Sequence, residues 1–173
     1  METSRTSFVW NVPQQFNFAQ DVIDRLADEN RLGLLFIDKN GARRDYTFPQ
    51  IADASQRYAS ALADAGIVRG DRVIVSLPKI PQWLFVMLAL DRLGAVAIPC
   101  AEQLRAKDLL FRATHSGAVA VVAGIDNWSE AERMRAAAKT LRSFSHWRAR
   151  CSAGSGCAAA PRSRSRSFSF SRR

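Results

Sequence analysis

His146, Cys151 and Cys157 are side chains of the kind that hold zinc. A structural zinc site, however, takes four ligands at short regular spacing, and these three stand irregularly in a stretch dominated by serine and arginine. His115 ends an amphipathic run, where a cation suits the negative end of a helix dipole, and no second group stands beside it for acid–base work. A phosphate cradle would read G-x-x-x-x-G-K-[ST] or G-x-G-x-x-G, and neither occurs. Ser152-Ala153-Gly154-Ser155-Gly156 faintly suggests one, but it has no lysine and no amphipathic helix after it, so a spacer is the plainer reading. Arg69-Gly70-Asp71 spells an adhesion tripeptide and sits where a turn must lead into an apolar run. Arg162 to Ser167 alternates arginine with serine beside Phe168 and Phe170, a pattern that can hold phosphates while the rings stack on bases.

Charge separates that last stretch from the rest. Of the 173 residues, those up to Arg142 hold 18 basic and 16 acidic side chains, net +2, while those after it hold 7 basic and no acidic ones, net +7. The excess charge belongs to a tail, 143–173, and 1–142 has the length of one ordinary domain. The tail has nine serines and no apolar periodicity, so it is expected to be disordered. Three origins stand for it: a nucleic-acid-binding arm, a solvated low-complexity tail, or GC-rich DNA translated out of frame, which the abrupt loss of acids favours. The longest apolar run, Trp83 to Leu90, has eight residues against the ~20 of a membrane span. Phe8-Val9-Trp10 is too short for the apolar core of a secretory signal. An odd cysteine count argues against a disulfide framework, so a reducing, cytoplasmic location is expected.

The elements that would position any site follow from periodicity. Phe18, Val22 with Ile23 beside it, and Leu26 recur at helical spacing behind Asn17, predicting a first helix that ends near Asn30. Leu34 to Asp38 and Arg43 to Phe48 flank Asn40-Gly41, which predicts a β-hairpin closed by a type I′ turn. A helix over about 49–65 begins at Pro49, carries Ile51, Ala54, Tyr58 and Leu62 on one face, and stops at Gly66. Arg72 to Leu77 reads as a strand covered on both sides, 82–93 as an interior helix capped by Gly94, and Ala95 to Ile98 as a short buried strand. A helix over 106–115, a cap at Gly117 and a strand over 118–123 repeat the alternation, and Asn127 or Ser129 would cap a last helix reaching Leu141. Strand and helix alternating with short links predict an α/β fold with a β-hairpin, right-handed βαβ units and a parallel sheet.

The order of these segments resembles a known family. Phe16-Asn17-Phe18-Ala19, Tyr46-Thr47-Phe48, Gly66-Ile67-x-Arg69-Gly70-Asp71-Arg72-Val73, Leu77-Pro78-x-x-Pro81-x-Trp83, Leu93-Gly94-Ala95-Val96-Ala97-Ile98-Pro99 and His115-Ser116-Gly117-Ala118 are similar to the start of the adenylate-forming acyl-CoA synthetases, medium-chain type. The resemblance runs over about residues 8 to 125. It implies a parent enzyme that joins a carboxylic acid to ATP, releasing pyrophosphate, and then lets the thiol of CoA displace AMP, with Mg offsetting the phosphate charge. The loop ending in lysine, the aromatic-Gly-x-Thr-Glu segment and the lysine of the C-terminal domain that serve this chemistry in the family do not occur here. One position carries over: Gln103 falls where the medium-chain branch places a glutamine that contacts CoA, the alternative being that it simply precedes or caps the next helix.

The chain thus reads as a truncated synthetase with no catalytic residue of its own, expected neither to adenylate an acid nor to bind ATP, CoA or Mg productively. Surfaces that missing parts would cover should be exposed, including some of the Trp83–Leu90 neighbourhood, which would favour association with a full-length synthetase. The rival reading is a non-catalytic α/β scaffold whose basic tail binds nucleic acid or another polyanion.

Overall fold

A computed structural model describes residues 12–147 apart from 136 and 139. The chain enters through helix α1, π-helical over Ala19–Asp24 and α-helical over Arg25–Ala27. Asn17 caps it as expected: its Oδ1 accepts from the Gln20 N–H at 3.2 Å, and its own N–H donates to Asp21 Oδ2 at 2.7 Å. Ile23, which the sequence sets beside the predicted stripe, is buried together with Ala19, while Phe18 is exposed. The inward stripe Ala19, Ile23 and Ala27 keeps the predicted spacing of four but is offset by one residue from Phe18, Val22 and Leu26.

Strands β1 (Leu32–Ile37) and β2 (Arg43–Thr47) form the predicted antiparallel hairpin, with Leu35 opposite Asp45 and Phe36 opposite Arg44. Its turn is not type I′, because Gly41 alone of the central pair has positive φ, at 83°. The Gly41 N–H donates to the Asp38 carbonyl at 2.9 Å, and Asp38 Oδ1 accepts from the N–H groups of Asn40 and Ala42. The aspartate stabilises a longer loop that needs left-handed backbone only at the glycine, a turn followed by a G1 bulge.

Helix α2 (Phe48–Asp64) starts as Pro49 predicts, and the Thr47 N–H donates to Gln50 Oε1 at 2.9 Å as part of a capping box. Then come β3 (Arg72–Ser76), α3 (Pro81–Leu93), β4 (Val96–Pro99), α4 (Ala106–Ser116) and β5 (Ala120–Gly124). Gly94 and Gly117 cap α3 and α4 at φ 64° and 66°, left-handed positions that glycine adopts without a Cβ clash. A short 3₁₀ turn, Ile125–Asn127, leads into α5 (Trp128–Arg135). This last helix stops well before Leu141, because the chain must turn back beside β5: the Arg142 N–H donates to the Val119 carbonyl at 2.7 Å. Residues Ser143–Trp147 then form β6, so the sheet continues into residues that sequence composition assigns to the tail; the serines around Phe144 mask the strand signal.

The four strands are parallel, in the order β4-β3-β5-β6. Since β3 leads outward to β4 and the chain then crosses back to β5, right-handed crossovers place the connecting helices on opposite faces. The packing agrees. Val73, Val75 and Val122 meet Leu62 of α2 and Val86 and Leu90 of α3, while Ile74, Val121 and Ala123 meet Leu109 of α4 and Met134 of α5. A third cluster seats the hairpin and α1 on α2 and α3 through Ile51, Phe85 and Leu88, with Tyr46 edge-on to Phe85 at 5.5 Å.

Arg92 ties these parts together. Its guanidinium, with a side chain only 8% exposed, donates two hydrogen bonds to Asp24 at 2.7 and 2.5 Å and a third to the buried Ser55 Oγ at 2.8 Å, joining α3 to α1 and α2. Asn17 Nδ2 adds a bond to the Asp91 carbonyl at 2.7 Å. The Trp83–Leu90 neighbourhood is covered, contrary to expectation: Phe85, Val86, Leu88, Ala89 and Leu90 are buried and the others half-buried. The hairpin lies over that region, and exposed apolar side chains stand elsewhere, at Leu35, Ile37, Val96 and Phe111 among others.

Candidate functional site

In an open parallel sheet, the place that chain topology leaves for a ligand is the crevice at the carboxyl ends of two adjacent strands whose connections leave to opposite faces. Here those strands are β3 and β5. The crevice is closed. Gly124 passes so near Pro78 that a Cβ built on it would lie 3.1 Å from the proline Cδ. Beside this contact the buried Asn127 Nδ2 donates to the buried Ser76 Oγ at 2.9 Å, and Ser76 donates onward to the Ala101 carbonyl at 3.4 Å. Side chains and backbone thus fill the crevice between these two strand ends. Among the described residues no group of three His, Cys, Asp or Glu could hold a metal ion.

The open space lies one strand over. A cleft of about 630 Å³ sits at the carboxyl ends of β3 and β4, beneath β1. Leu34 and Phe36 of the hairpin form one wall, Leu77, Ile80, Trp83 and Leu84 a second, and the loop from Pro99 to Gln103 the third. The hairpin turns its half-buried Leu34 and Phe36 this way because the period of two sends Leu35 and Ile37 outward. The lining is mainly apolar, with Lys79, Glu102 and Gln103 as its charged and amide groups.

Gln103 is exposed at this rim, its Nε2 donating to Glu102 Oε1 at 3.3 Å. It does not cap α4, whose preceding residue is Arg105 and whose Ala106 N–H is taken by Glu130 Oε2 at 2.9 Å. That backbone bond, foremost, and the cations Arg133 and Arg105 hold the Glu130 carboxyl below its ordinary pKa. Cys100 lines the same cleft as a buried free thiol, and burial raises its pKa against the smaller opposing pull of Arg112.

Of the other candidates, His115 ends α4 as expected, with its ring stacked on Phe111 at 5.7 Å. Gly70, at φ 84°, makes Arg69-Gly70-Asp71 a turn, and its N–H donates to the Gly94 carbonyl at 2.9 Å. Cys151, Cys157, the Ser152–Gly156 loop and the Arg/Ser run lie outside the described residues, and the His146 backbone pairs with Ala123 in β6. Sequence reasoning missed Ser76 and Glu130, and offered Asn127 or Ser129 as a helix cap, whereas the Asn127 side chain bridges to β3. A serine at the end of a β-branched run was the available signal for the first.

The profile of the AMP-binding enzyme family matches residues 25–154. The human protein named acyl-coenzyme A synthetase ACSM3, mitochondrial, is 34% identical over 129 residues, 70% of this chain and 22% of that protein. Human ACSM2A, also named a mitochondrial acyl-coenzyme A synthetase, is 35% identical over 139 residues, covering 76% and 24%. The chain therefore spans about a quarter or less of the length of these relatives. Among solved structures, the acyl-CoA synthetase of Brucella canis superposes with a TM-score of 0.72 at 28% identity, over 86% of this chain and 27% of that one. The N-terminal domain of FACL13 from Mycobacterium tuberculosis shares the fold, with a TM-score of 0.69 at 24% identity over 77% and 34%. With its strand order, its cleft and a family match over most of its length in agreement, the chain belongs to the AMP-binding enzyme family.

Proposed function

We propose that this chain is the opening part of the large domain of an acyl-CoA synthetase, an enzyme that converts a carboxylic acid, ATP and CoA to acyl-CoA, AMP and pyrophosphate through an acyl-adenylate. The observation that carries this reading is the family match together with relatives named for that activity. CoA supplies the thiol that accepts the acyl group. In this chain Gln103, with its amide exposed at the cleft rim and free of any helix-capping bond, is the residue proposed to meet CoA, and Lys79 at the same cleft suits its negative charge. The phosphate chemistry belongs to residues that this chain does not supply, since its own switch-point crevice is filled. On its own, the chain is proposed to be inactive in adenylation.

The test is AMP release from ATP by the purified chain with a medium-chain fatty acid, CoA and Mg. The expected rate is that of the no-protein control. Acid-dependent AMP formation, lost when the acid is omitted, overturns the reading of inactivity. CoA binding that survives Gln103→Ala unchanged removes Gln103 from the site. The proposed compartment is the cytoplasm, and fractionation tests it against the mitochondrion named for the human relatives.

A further inference from the structure

The loop that carries Gln103 is held at both ends from one short segment on the far side of the switch point. At its start, the Ala101 carbonyl accepts from Ser76 Oγ at 3.4 Å, and Ser76 is itself held by Asn127 Nδ2 at 2.9 Å. At its end, the Ala106 N–H donates to Glu130 Oε2 at 2.9 Å. Asn127 is 5% exposed and the Glu130 side chain 12%, so neither reaches the loop as a mobile surface group. Glu130 is braced in turn by Arg133 at 2.9 Å and Arg105 at 3.4 Å. Between the two anchors the loop has one described backbone bond of its own, from the Leu104 N–H to the Ala101 carbonyl at 3.3 Å. An untied loop of this length would sample many conformations, and ordering it against a ligand would weaken binding by the entropy lost at that moment.

We propose that Asn127 and Glu130 are positioning residues: one three-residue step of chain after β5 clamps both ends of loop 101–105 and so presets where Gln103 stands on the cleft wall. Neither residue touches the cleft. Each acts through another group, Asn127 through Ser76 and Glu130 through the first amide of α4. What the clamp presents to a ligand rests on the reading that Gln103 meets CoA, whereas the clamp itself does not.

Amide hydrogen exchange on the full 173-residue chain separates the two. Glu130→Ala is expected to speed exchange at Ala106 and Leu104 by about fivefold or more, the loss of one net hydrogen bond. Asn127→Ala should do so at Leu104, while Val75 and Val121 in the central strands stay near the wild-type rate. Glu130→Gln, which keeps an acceptor for the Ala106 N–H, should restore most of the protection. The double variant Asn127→Ala/Glu130→Ala should loosen the loop more than either single one. If both Glu130 variants speed exchange equally everywhere, strands included, or if neither alters the loop, the clamp is refuted. A CoA titration on the same samples then tests the rest. If the exchange pattern holds but CoA leaves the Gln103 resonances unmoved, the Gln103 reading fails while the clamp stands.

Discussion

Replacing one partner of the Arg92–Asp24 pair should have different consequences depending on which partner goes. The Arg92 side chain is 8% exposed and that of Asp24 33%. In Arg92→Met the apolar stem is largely kept, the Asp24 carboxylate turns to water, and the loss is that of charge-assisted hydrogen bonds, about 2 kcal/mol. In Asp24→Ala a nearly buried guanidinium keeps only its bond to Ser55 Oγ. Stranding a buried charge costs roughly 3–5 kcal/mol, and the partial exposure of the pair puts this case near the lower end, about 3 kcal/mol. The double variant strands nothing and should lose about 2 kcal/mol, less than Asp24→Ala alone. Urea unfolding followed by circular dichroism measures all three, with the slope expected to stay constant. For a chain of this size Arg92→Met should also lower Tm by roughly 4–8 °C. An Asp24→Ala loss equal to or smaller than that of Arg92→Met, or additive losses in the double variant, would show that the bidentate pair does not hold α1 in place.

Other outcomes rest on single contacts. Gly94→Ala should lose about 1–2 kcal/mol, because its φ of 64° is left-handed and a new Cβ would lie 3.0 Å from Arg69 Cγ; thermal melting checks it. Leu90→Ala, at a side chain with no exposure, should cost about 2–5 kcal/mol in the same assay. The Glu130 pKa is lowered in the fold, so the contribution of its bonds is present above the ordinary glutamate pKa and fades as pH falls through the lowered one; Ala106 exchange, corrected for its intrinsic pH dependence, should hold through mild acid and rise only below that point. Cys100, whose pKa burial raises, should alkylate more slowly than a free thiol at pH 8, as peptide mass spectrometry can follow.

The alternation of elements was legible because β3 and β5 are uninterrupted β-branched or small apolar runs and α2 has a clean inward face. Glycines 94 and 117 marked their helix ends for the same local reason that the structure shows, a left-handed residue after the last turn. The features that failed to show were non-local. Nothing near Asn127 in sequence reveals that its amide crosses to a serine 51 residues away, and nothing near Glu130 reveals that it caps another helix. The face of α1 was misread by one residue because Phe18 is the larger apolar side chain and small Ala19 gives little signal, and β6 was missed because its serine-rich composition matches that of residues 148–173. Gln103 was singled out by resemblance alone, and that it does not cap α4 emerged only with Glu130 already bonded to the Ala106 N–H.

The N-terminal helix reaches its seat through bonds that span 74 residues from Asn17 to Asp91 and 68 from Asp24 to Arg92. A ribosome adding about 5–20 residues per second makes Arg92 roughly 3–14 seconds after Asp24. During that interval Ile23, buried in the finished fold, has no α3 to lie against. The first described helix to be synthesised can meet Ile51 and Ala52 of α2 earlier, but its seat is completed only when α3 has been made.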